Sequence, residues 1–354
     1  MTATRNRSRN AMKEIRSRVI DVLLRSDEPS IRWKVLVGVV GEDPDSVKVR
    51  NLREQIRTSP RVTTLLAGRD RHFTREANVY AKYRGAHWTL AALADLGYPP
   101  GDESLLPMCR QVLDHWLSDS FYREFESKNA VPKHRSNDGV PIIRGRYRRC
   151  ASQQGNALYS LTRLGLGDSD RGRLAERLLH WQWPDGGWNC DRNPSADTSS
   201  FMESLLPMRG LAAYAQSSRD KPAREAAFKA SEVFLSRRLF RRRSDGKIIH
   251  PNFLMFHYPL FWHYDVLGGL RAMAEMGLIN DPRCADALDV LERKELPNGG
   301  WATEGRFYKQ APGVDTSDRF GSTTPVDWGG VGRKKLNEWT TATALYILRA
   351  ANRL

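Results

Sequence analysis

The stretch Gln182-Trp-Pro-Asp-Gly-Gly-Trp188 decides the fold, because a degenerate copy, Glu295-Leu-Pro-Asn-Gly-Gly-Trp301, follows later in the chain. In both copies a helical run stops at a proline, two glycines turn the chain, and a tryptophan closes the turn. We expect the indole to fold back over the end of the preceding helix. The chain therefore reuses one helix-ending unit, which indicates a repeat architecture.

Amphipathic and apolar helical segments alternate along the rest of the chain. The amphipathic segments, which we expect on the outside, are 10–27, 43–58, 103–118, 169–183, 221–239 and 281–295. Their partners carry few charges, and they are 29–40, 78–97, 150–166, 198–216, 259–277 and 336–351. Six such pairs predict an all-α fold, an (α/α)6 barrel or toroid. We expect one domain over 1–354 with a basic N-terminal segment at 1–18.

The connections between these segments have two lengths. Short links leave the inner helices, whereas long links enter them, at about 59–77, 119–149, 184–197, 240–258 and 302–335. Inner helices of such a barrel run parallel, so the long links and the inner-helix N-termini meet at one end. We expect a ligand site at that mouth.

Composition excludes several classes of protein. No run approaches the roughly 18 apolar residues of a spanning helix, and the Arg-rich start lacks the apolar stretch of a signal peptide, so we expect a cytoplasmic protein. The cysteines show no Cys-x-x-Cys spacing, which disfavours a zinc ribbon or a disulfide scaffold. No metal and no cofactor are predicted. The cysteines are Cys109, Cys150, Cys190 and Cys284.

The net charge of +15 is concentrated in clusters of arginine. They lie at Arg5 to Arg18, at Arg144, Arg146, Arg148 and Arg149, and at Arg237 to Arg243. Such clusters favour peripheral contact with an anionic membrane, and the alternative is that they are simply solvated. No zinc-finger spacing or RRM-like aromatic block accompanies them, so no nucleic-acid partner is expected. The oligomeric state stays open.

Polar and aromatic residues gather near the predicted starts of the inner helices, most densely in His257-Tyr-Pro-Leu-Phe-Trp-His-Tyr-Asp265. Aromatic faces can stabilise a cation, and a carboxylate or imidazole can transfer a proton. The candidate catalytic residues are Asp265, His263, Glu203 and Glu338. The candidate substrate-binding residues are Trp88, His87, Gln154, His257, Tyr258, Trp262, Tyr264 and Trp339.

Structural alternatives exist for the four candidate catalytic residues. His263 and Asp265 could bond one another or a nearby helix end while the aromatic residues form core. Glu203 stands in Ser200-Phe-Met-Glu203, the spacing of a capping box, in which it would bond back to the cap. Glu338 could complement the dipole at a helix start.

The spacing of Gln182, Gly186 and Trp188 resembles the QW motif of squalene and oxidosqualene cyclases and the glycine-rich repeats of protein prenyltransferases. That superfamily shares an (α/α)6 toroid. The resemblance implies an isoprenoid ligand in an aromatic-lined cavity. The cyclases' Asp-x-Asp-Asp motif is absent, and Asp197-Thr-Ser199 lacks the zinc-binding cysteine of the prenyltransferases. The implied activity is therefore cyclisation or isomerisation by a non-standard acid.

Two alternatives stay open beside a terpenoid cyclase. Carbohydrate-active hydrolases and lyases also use α/α barrels, and two carboxylates about 5–10 Å apart across an open groove would favour them. A closed apolar pocket would favour an isoprenoid. A non-catalytic binding or scaffold protein is the third reading, because the usual acid is missing.

Overall fold

The computed structural model describes residues 2–67, 79–127, 139–311 and 322–354, with side chains from residue 12 onward. Helices dominate these ranges. In chain order they are α1 (Thr2–Leu23), α2 (Pro29–Val35), α3 (Val47–Arg57), α4 (Pro60–Leu66), α5 (Ala86–Leu96), α6 (Leu106–Trp116), α7 (Asp119–Tyr122), α8 (Ala151–Leu164), α9 (Asp168–His180), α10 (Phe201–Ser218), α11 (Lys221–Leu235), α12 (Val266–Glu275), α13 (Ala285–Arg293) and α14 (Glu338–Ala350). A π-helical turn, Leu36–Val40, extends α2.

Short strands lie in the long connections that enter the inner helices. They are β1 (Glu124–Glu126), β2 (Val140–Ile143), β3 (Arg146–Tyr147), β4 (Lys309–Gln310) and β5 (Thr323–Thr324). β2 pairs in parallel with β1 and antiparallel with β3, and β4 pairs in parallel with β5. Single turns of 3-10 helix stand at Glu103–Leu105, Pro251–Leu254 and Pro282–Cys284.

The inner helices form a closed ring. α5, α8, α10, α12 and α14 pack side by side in that order, and α14 then packs against α2. Side chains make the last step, from α2 to α5: Lys34 Nζ lies 3.2 Å from Asp95 Oδ2, and the Trp33 ring covers Gly97. Outer helices stand between them in the chain, so the predicted all-α (α/α)6 barrel is confirmed.

Two glycines bring α8 and α10 into backbone contact. A Cβ at Gly155 would lie 2.3 Å from the Pro207 nitrogen, and one at Gly210 would lie 2.5 Å from the Gly155 carbonyl oxygen. Distances of that size exclude any larger residue without a shift of the helices. The sequence therefore fixes the closest helix pair of the ring through glycine rather than through interdigitating side chains.

The two copies of the repeated turn, residues 182–188 and 295–301, form the same clasp. Trp188 Nε1 donates to the Leu178 carbonyl at 3.0 Å, and Trp301 Nε1 donates to the Leu291 carbonyl at 2.8 Å. Both indoles are fully buried against the outer helix that ends at the clasp. The prediction that these tryptophans pack at outer-helix ends is confirmed.

Each clasp also joins its outer helix to neighbouring helices. The Trp188 amide donates to Ser204 Oγ of the next inner helix at 3.0 Å, as the Trp301 amide does to its own inner helix. Gln182 Nε2 donates to the Ala226 carbonyl of α11 at 2.9 Å.

The replacement of Gln by Glu295 in the second clasp has a structural reason. Glu295 Oε2 accepts from Arg16 Nη2 of α1 at 2.7 Å. This bond joins the last outer helix to the first, so the second clasp closes the ring with an ion pair where the first uses an amide.

Two inner helices begin later than their sequences predict. α5 begins at Ala86 rather than at 78, and α12 begins at Val266 rather than at 259. In α12 the reason is a cap, because Asp265 Oδ1 accepts from the Gly268 amide at 2.8 Å while the segment 257–264 runs outside the helix. The described part of the chain contains no helix that is long and apolar enough to cross a membrane.

Candidate functional site

Two cavities lie along the barrel axis. The smaller, here called the inner cavity, has a volume of about 110 Å³ and aromatic walls that include Trp88, Phe261 and Trp328. The larger, here called the basic cavity, has a volume of about 320 Å³ and lies among the C-terminal halves of the inner helices. Both cavities are lined by Tyr159, Arg209, Arg271 and Thr343, which therefore stand between them.

A layer of paired charges separates the two cavities. Arg271 Nη1 lies 2.6 Å from Asp95 Oδ1, and Arg271 Nε lies 2.9 Å from Glu275 Oε1. Arg209 binds both oxygens of Glu275, at 2.7 and 2.8 Å. Lys34 contacts the second oxygen of Asp95. Five side chains from α2, α5, α10 and α12 thus form one network across the lumen.

The two carboxylates of this layer are ionised. Burial alone would raise the pKa of Glu275, but Arg209 and Arg271 lower it to about 2. The pKa of Asp95 lies still further below its ordinary value, since Arg271 and Lys34 outweigh the effect of burial. Burial lowers the pKa of Lys34 to about 8 although Asp95 opposes the shift.

Positive charge exceeds negative charge around the basic cavity. Lys34, Arg209 and Arg271 face two carboxylates within the layer, and Arg163 adds a fourth cation to the cavity wall. Arg163 makes no hydrogen bond or ion pair with any described residue. Four cations against two carboxylates leave an excess of two, which suits an anionic ligand.

Four of the predicted site residues line the inner cavity, namely Trp88, His257, Tyr258 and Asp265. Tyr258 donates its hydroxyl to Asp95 Oδ2 at 2.7 Å and so belongs to the charged layer. Asp265 is 1% exposed and accepts from the His257 amide at 2.8 Å, with the His257 ring 3.2 Å away. The proposed pairing of Asp265 with His263 is therefore wrong, and its partner is His257.

His87 lies between inner and outer helices rather than at a cavity. Trp116 Nε1 donates to His87 Nδ1 at 3.0 Å, and the Asn156 side-chain amide lies 3.0 Å from Nε2. Nδ1 must therefore be an unprotonated acceptor. Burial, with a smaller effect from His115, lowers the pKa of His87 to about 3, so the ring is neutral.

Acid should destabilise the protein through His87. Its folded pKa of about 3 lies below its ordinary value of 6.5, so between these values the unfolded chain binds a proton that the folded protein does not. The stabilisation is complete above about pH 6.5 and is lost as the pH falls toward 3. Urea midpoints measured from roughly pH 7 to 4 should fall more steeply for the wild type than for His87→Gln. Equal slopes would contradict this account, and His250→Gln serves as the control.

The other aromatic candidates are packed outside the two cavities. Tyr264 is buried core and donates its hydroxyl to the Leu239 carbonyl at 2.6 Å. His263 stacks on Phe307 with ring centroids 3.5 Å apart and on Trp262 at 4.0 Å. Burial lowers the pKa of His263 to about 4. These three residues lie beyond the walls of both cavities.

Three further candidates also lie away from the cavity walls. Trp339 stacks behind Tyr258, with ring centroids 5.2 Å apart. Glu338 Oε2 accepts from Ser26 Oγ at 3.0 Å at the start of α14. Gln154 is completely buried within α8. The expectation that Glu338 faces a shared pocket with Asp265 is not met.

Glu203 does not form the predicted capping box. Ser200 makes no side-chain cap bond, and Glu203 Oε2 instead accepts from the Ser152 amide of α8 at 3.1 Å. Cys190 Sγ lies 3.4 Å from the other carboxylate oxygen. Burial raises the pKa of Glu203. The helix start thus turns this carboxylate toward a neighbouring helix and a thiol.

Much of the basic sequence is used inside the fold. Arg148 and Arg149 are buried, and their guanidinium groups lie over the rings of Trp183 and Phe121. Arg241 pairs with an acidic residue of α13 at 2.8 Å. The side chains up to residue 11 lie outside the described part of the chain. Contact with an anionic membrane stays a prediction.

Comparison with known proteins corrects the family suggested by the clasp. No family model and no curated protein matches the chain. Solved structures do match, among them an unsaturated glucuronyl hydrolase, responsible for the degradation of glycosaminoglycan, from Bacillus sp. GL1. The match has 14% identity, covers 91% of this chain and 84% of that chain, and has a TM-score of 0.42. A likeness of this degree says nothing about substrate.

The terpenoid-cyclase and prenyltransferase family, with its isoprenoid ligand, is therefore wrong for this chain, since the match is to a glucuronyl hydrolase. The physical reason lies in the clasp itself. Its contacts are with outer-helix carbonyls and with inner-helix hydroxyls, far from any reacting group. The motif reports how helices are joined in an α/α barrel and carries no information about the lumen.

Proposed function

We propose that this protein is a carbohydrate-active enzyme that binds an acidic sugar in the basic cavity and cleaves the adjacent glycosidic bond. The observation that carries this proposal is the excess of positive charge around a cavity that also has aromatic walls, at Trp33, Tyr159 and Tyr346. Aromatic faces suit the apolar faces of sugar rings, and arginines suit a carboxylate.

Size and charge both disfavour an apolar ligand. A volume of about 320 Å³ lies at the lower end of small-molecule sites. It suits a short saccharide better than a long polyprenyl chain. An apolar chain would also remove water from the charges of Arg163, Arg209 and Arg271 without replacing its hydrogen bonds, which is costly. A sugar carboxylate would supply those bonds.

Arg163 is the natural first contact for the ligand carboxylate, because its guanidinium has no partner among the described residues. Arg209 can be the second, but it now binds Glu275 through two nitrogens. A ligand that competes for Arg209 would weaken that pair. The planar guanidinium favours two-point binding of a carboxylate, which orients the sugar.

The same competition prepares Glu275 for proton transfer. Its pKa is about 2 because Arg209 and Arg271 stabilise the ionised form. When the substrate takes over Arg209, the pKa of Glu275 rises toward its ordinary value, and the carboxyl can donate a proton to the glycosidic oxygen. Asp95 stays ionised on the other side of Arg271 and keeps that guanidinium in position. The two carboxylates bind one guanidinium, so they lie roughly 5–8 Å apart.

The test is a comparison of acidic and neutral substrates. Uronic-acid oligosaccharides, saturated and unsaturated, are incubated with the protein beside the same oligosaccharides with carboxyl groups reduced to alcohols. We expect cleavage of the acidic set only, with mass spectrometry separating addition of water from formation of a new double bond. Glu275→Gln should lose activity by at least roughly 100-fold, and Glu225→Gln, an exposed surface change, should not. Cleavage of the neutral set, or full activity of Glu275→Gln, would refute the proposal.

A further inference from the structure

Two cysteines and a glutamate meet at the mouth of the barrel, outside the walls of both cavities. Cys150 precedes α8, Cys190 follows the first clasp, and Glu203 lies in the first turn of α10. One ligand atom from each of the three lies within 4.8 Å of the other two. We propose that this cluster is a metal site that binds a thiophilic divalent cation of the Zn²⁺ type, independently of the sugar site.

The spacing of the ligand atoms suits a tetrahedral ion. Cys190 Sγ lies 3.4 Å from Glu203 Oε1. With Zn–S near 2.3 Å and Zn–O near 2.1 Å, a tetrahedral site needs an S···O edge of about 3.6 Å and an S···S edge of about 3.8 Å. The thiols of Cys190 and Cys150 are already hydrogen-bonded to one another. Small side-chain rotations would therefore complete a three-ligand site with a fourth position for water.

The surrounding structure holds the ligands in place. Glu203 Oε2 is fixed by the Ser152 amide, which leaves Oε1 directed to the thiols. Cys150 stands at the N-terminus of α8, where free backbone N–H groups stabilise a thiolate. Cys190 follows a clasp that is anchored at Trp188. The ligands thus come from three rigidly supported points.

The charge of the cluster balances with a metal bound. Two thiolates and one carboxylate contribute three negative charges, and a divalent ion with Arg149 contributes three positive ones. Arg149 is buried and interacts electrostatically with Cys150, Cys190 and Glu203. Binding releases the two thiol protons, so the site stays neutral. Two thiolates favour zinc-like ions over Mg²⁺ or Ca²⁺, which prefer oxygen ligands.

Cobalt provides the direct test. Reduced, chelator-treated protein is titrated with Co²⁺, then with Zn²⁺ in competition. We expect one equivalent of Co²⁺, a sulfur-to-cobalt charge-transfer band, tetrahedral d–d bands, and loss of all these bands when Zn²⁺ is added. Cys150→Ser and Cys190→Ser should each weaken Zn²⁺ binding at least roughly 100-fold. Cys109→Ala removes a buried thiol outside the cluster and should leave binding unchanged.

A second measurement avoids variants that fail to fold. In the wild type, Zn²⁺ should protect Cys150 and Cys190 from alkylation and leave Cys109 and Cys284 unaffected, as read by peptide mass spectrometry. The proposal is overturned if no charge-transfer band forms, or if both serine variants bind Zn²⁺ like the wild type. It is equally overturned if the reduced protein takes up no metal and the two thiols only form a disulfide on oxidation.

Discussion

Replacing Trp301 with alanine is expected to lower the free energy of unfolding by about 3–5 kcal/mol. The indole is 0% exposed, and its Nε1 donates to the Leu291 carbonyl. Removing it leaves a large cavity and an unpaired carbonyl at the end of α13. The loss falls where Glu295 and Arg16 close the ring, so no further repeat can compensate.

Equilibrium unfolding in urea measures this effect, and two further tryptophans calibrate it. Trp188→Ala should cost a similar amount, because its indole makes the equivalent bond to the Leu178 carbonyl. Trp262→Ala should cost clearly less, since that ring is only half-buried and its Nε1 has no hydrogen-bond partner. Equal losses for Trp301 and Trp262 would show that the clasp has no special role.

Arg271→Met is expected to have a comparably large effect, a loss of about 3–5 kcal/mol, because it leaves two carboxylates of the charged layer without a shared cation. Asp95 and Glu275 both bind this guanidinium. The double variant Arg271→Met with Asp95→Asn should recover part of the loss, since one uncompensated charge is removed as well.

Arg173→Met is the matched control for Arg271→Met. Arg173 pairs with Asp170 one helical turn away on the surface, so its removal should cost less than about 1 kcal/mol. Thermal and urea unfolding of the three variants and the control decide the matter. A loss for Arg271→Met no larger than for Arg173→Met would mean that the layer contributes nothing to folding.

The fold could be predicted from the sequence because the clasp is a local device. A proline, two glycines and a tryptophan determine how a helix ends, and the contacts of Trp188 and Trp301 show that this determination is the same in both copies. For the same reason the clasp could not predict chemistry. The interpretation as a terpenoid cyclase transferred a function from a motif that only joins helices.

The lumen was harder to predict because its charged residues sit at the C-terminal halves of the inner helices, whereas the long connections pointed to the other end. Asp95, Arg163, Arg209, Arg271 and Glu275 each interrupt an otherwise apolar inner segment. A charge in such a segment must meet a partner across the lumen, and that signal was available. Which charges pair could not be predicted, since it depends on helix rotation.

The mouth shows a different limit. Asp265 was correctly placed near a helix start, but its partner His257 is brought to it by an extended loop rather than by helical spacing. Cys150 and Cys190 are separated by a whole helical pair's turn and clasp, so their approach has no spacing signature. Contacts of this kind follow from the closed ring alone.

The proposed acidic-sugar site is tested most directly by calorimetric titration of a uronic-acid disaccharide into the wild type and into Arg163→Met. Arg163 is chosen because it has no hydrogen-bond or ion-pair partner among the described residues, so folding should be unaffected. A hydrogen bond to a charged group contributes about 1.5–3 kcal/mol, so binding should weaken roughly 10- to 100-fold. The reduced, neutral disaccharide should bind both proteins equally weakly. Equal affinity of the wild type for the acidic and neutral disaccharides, or wild-type affinity in Arg163→Met, would contradict the account.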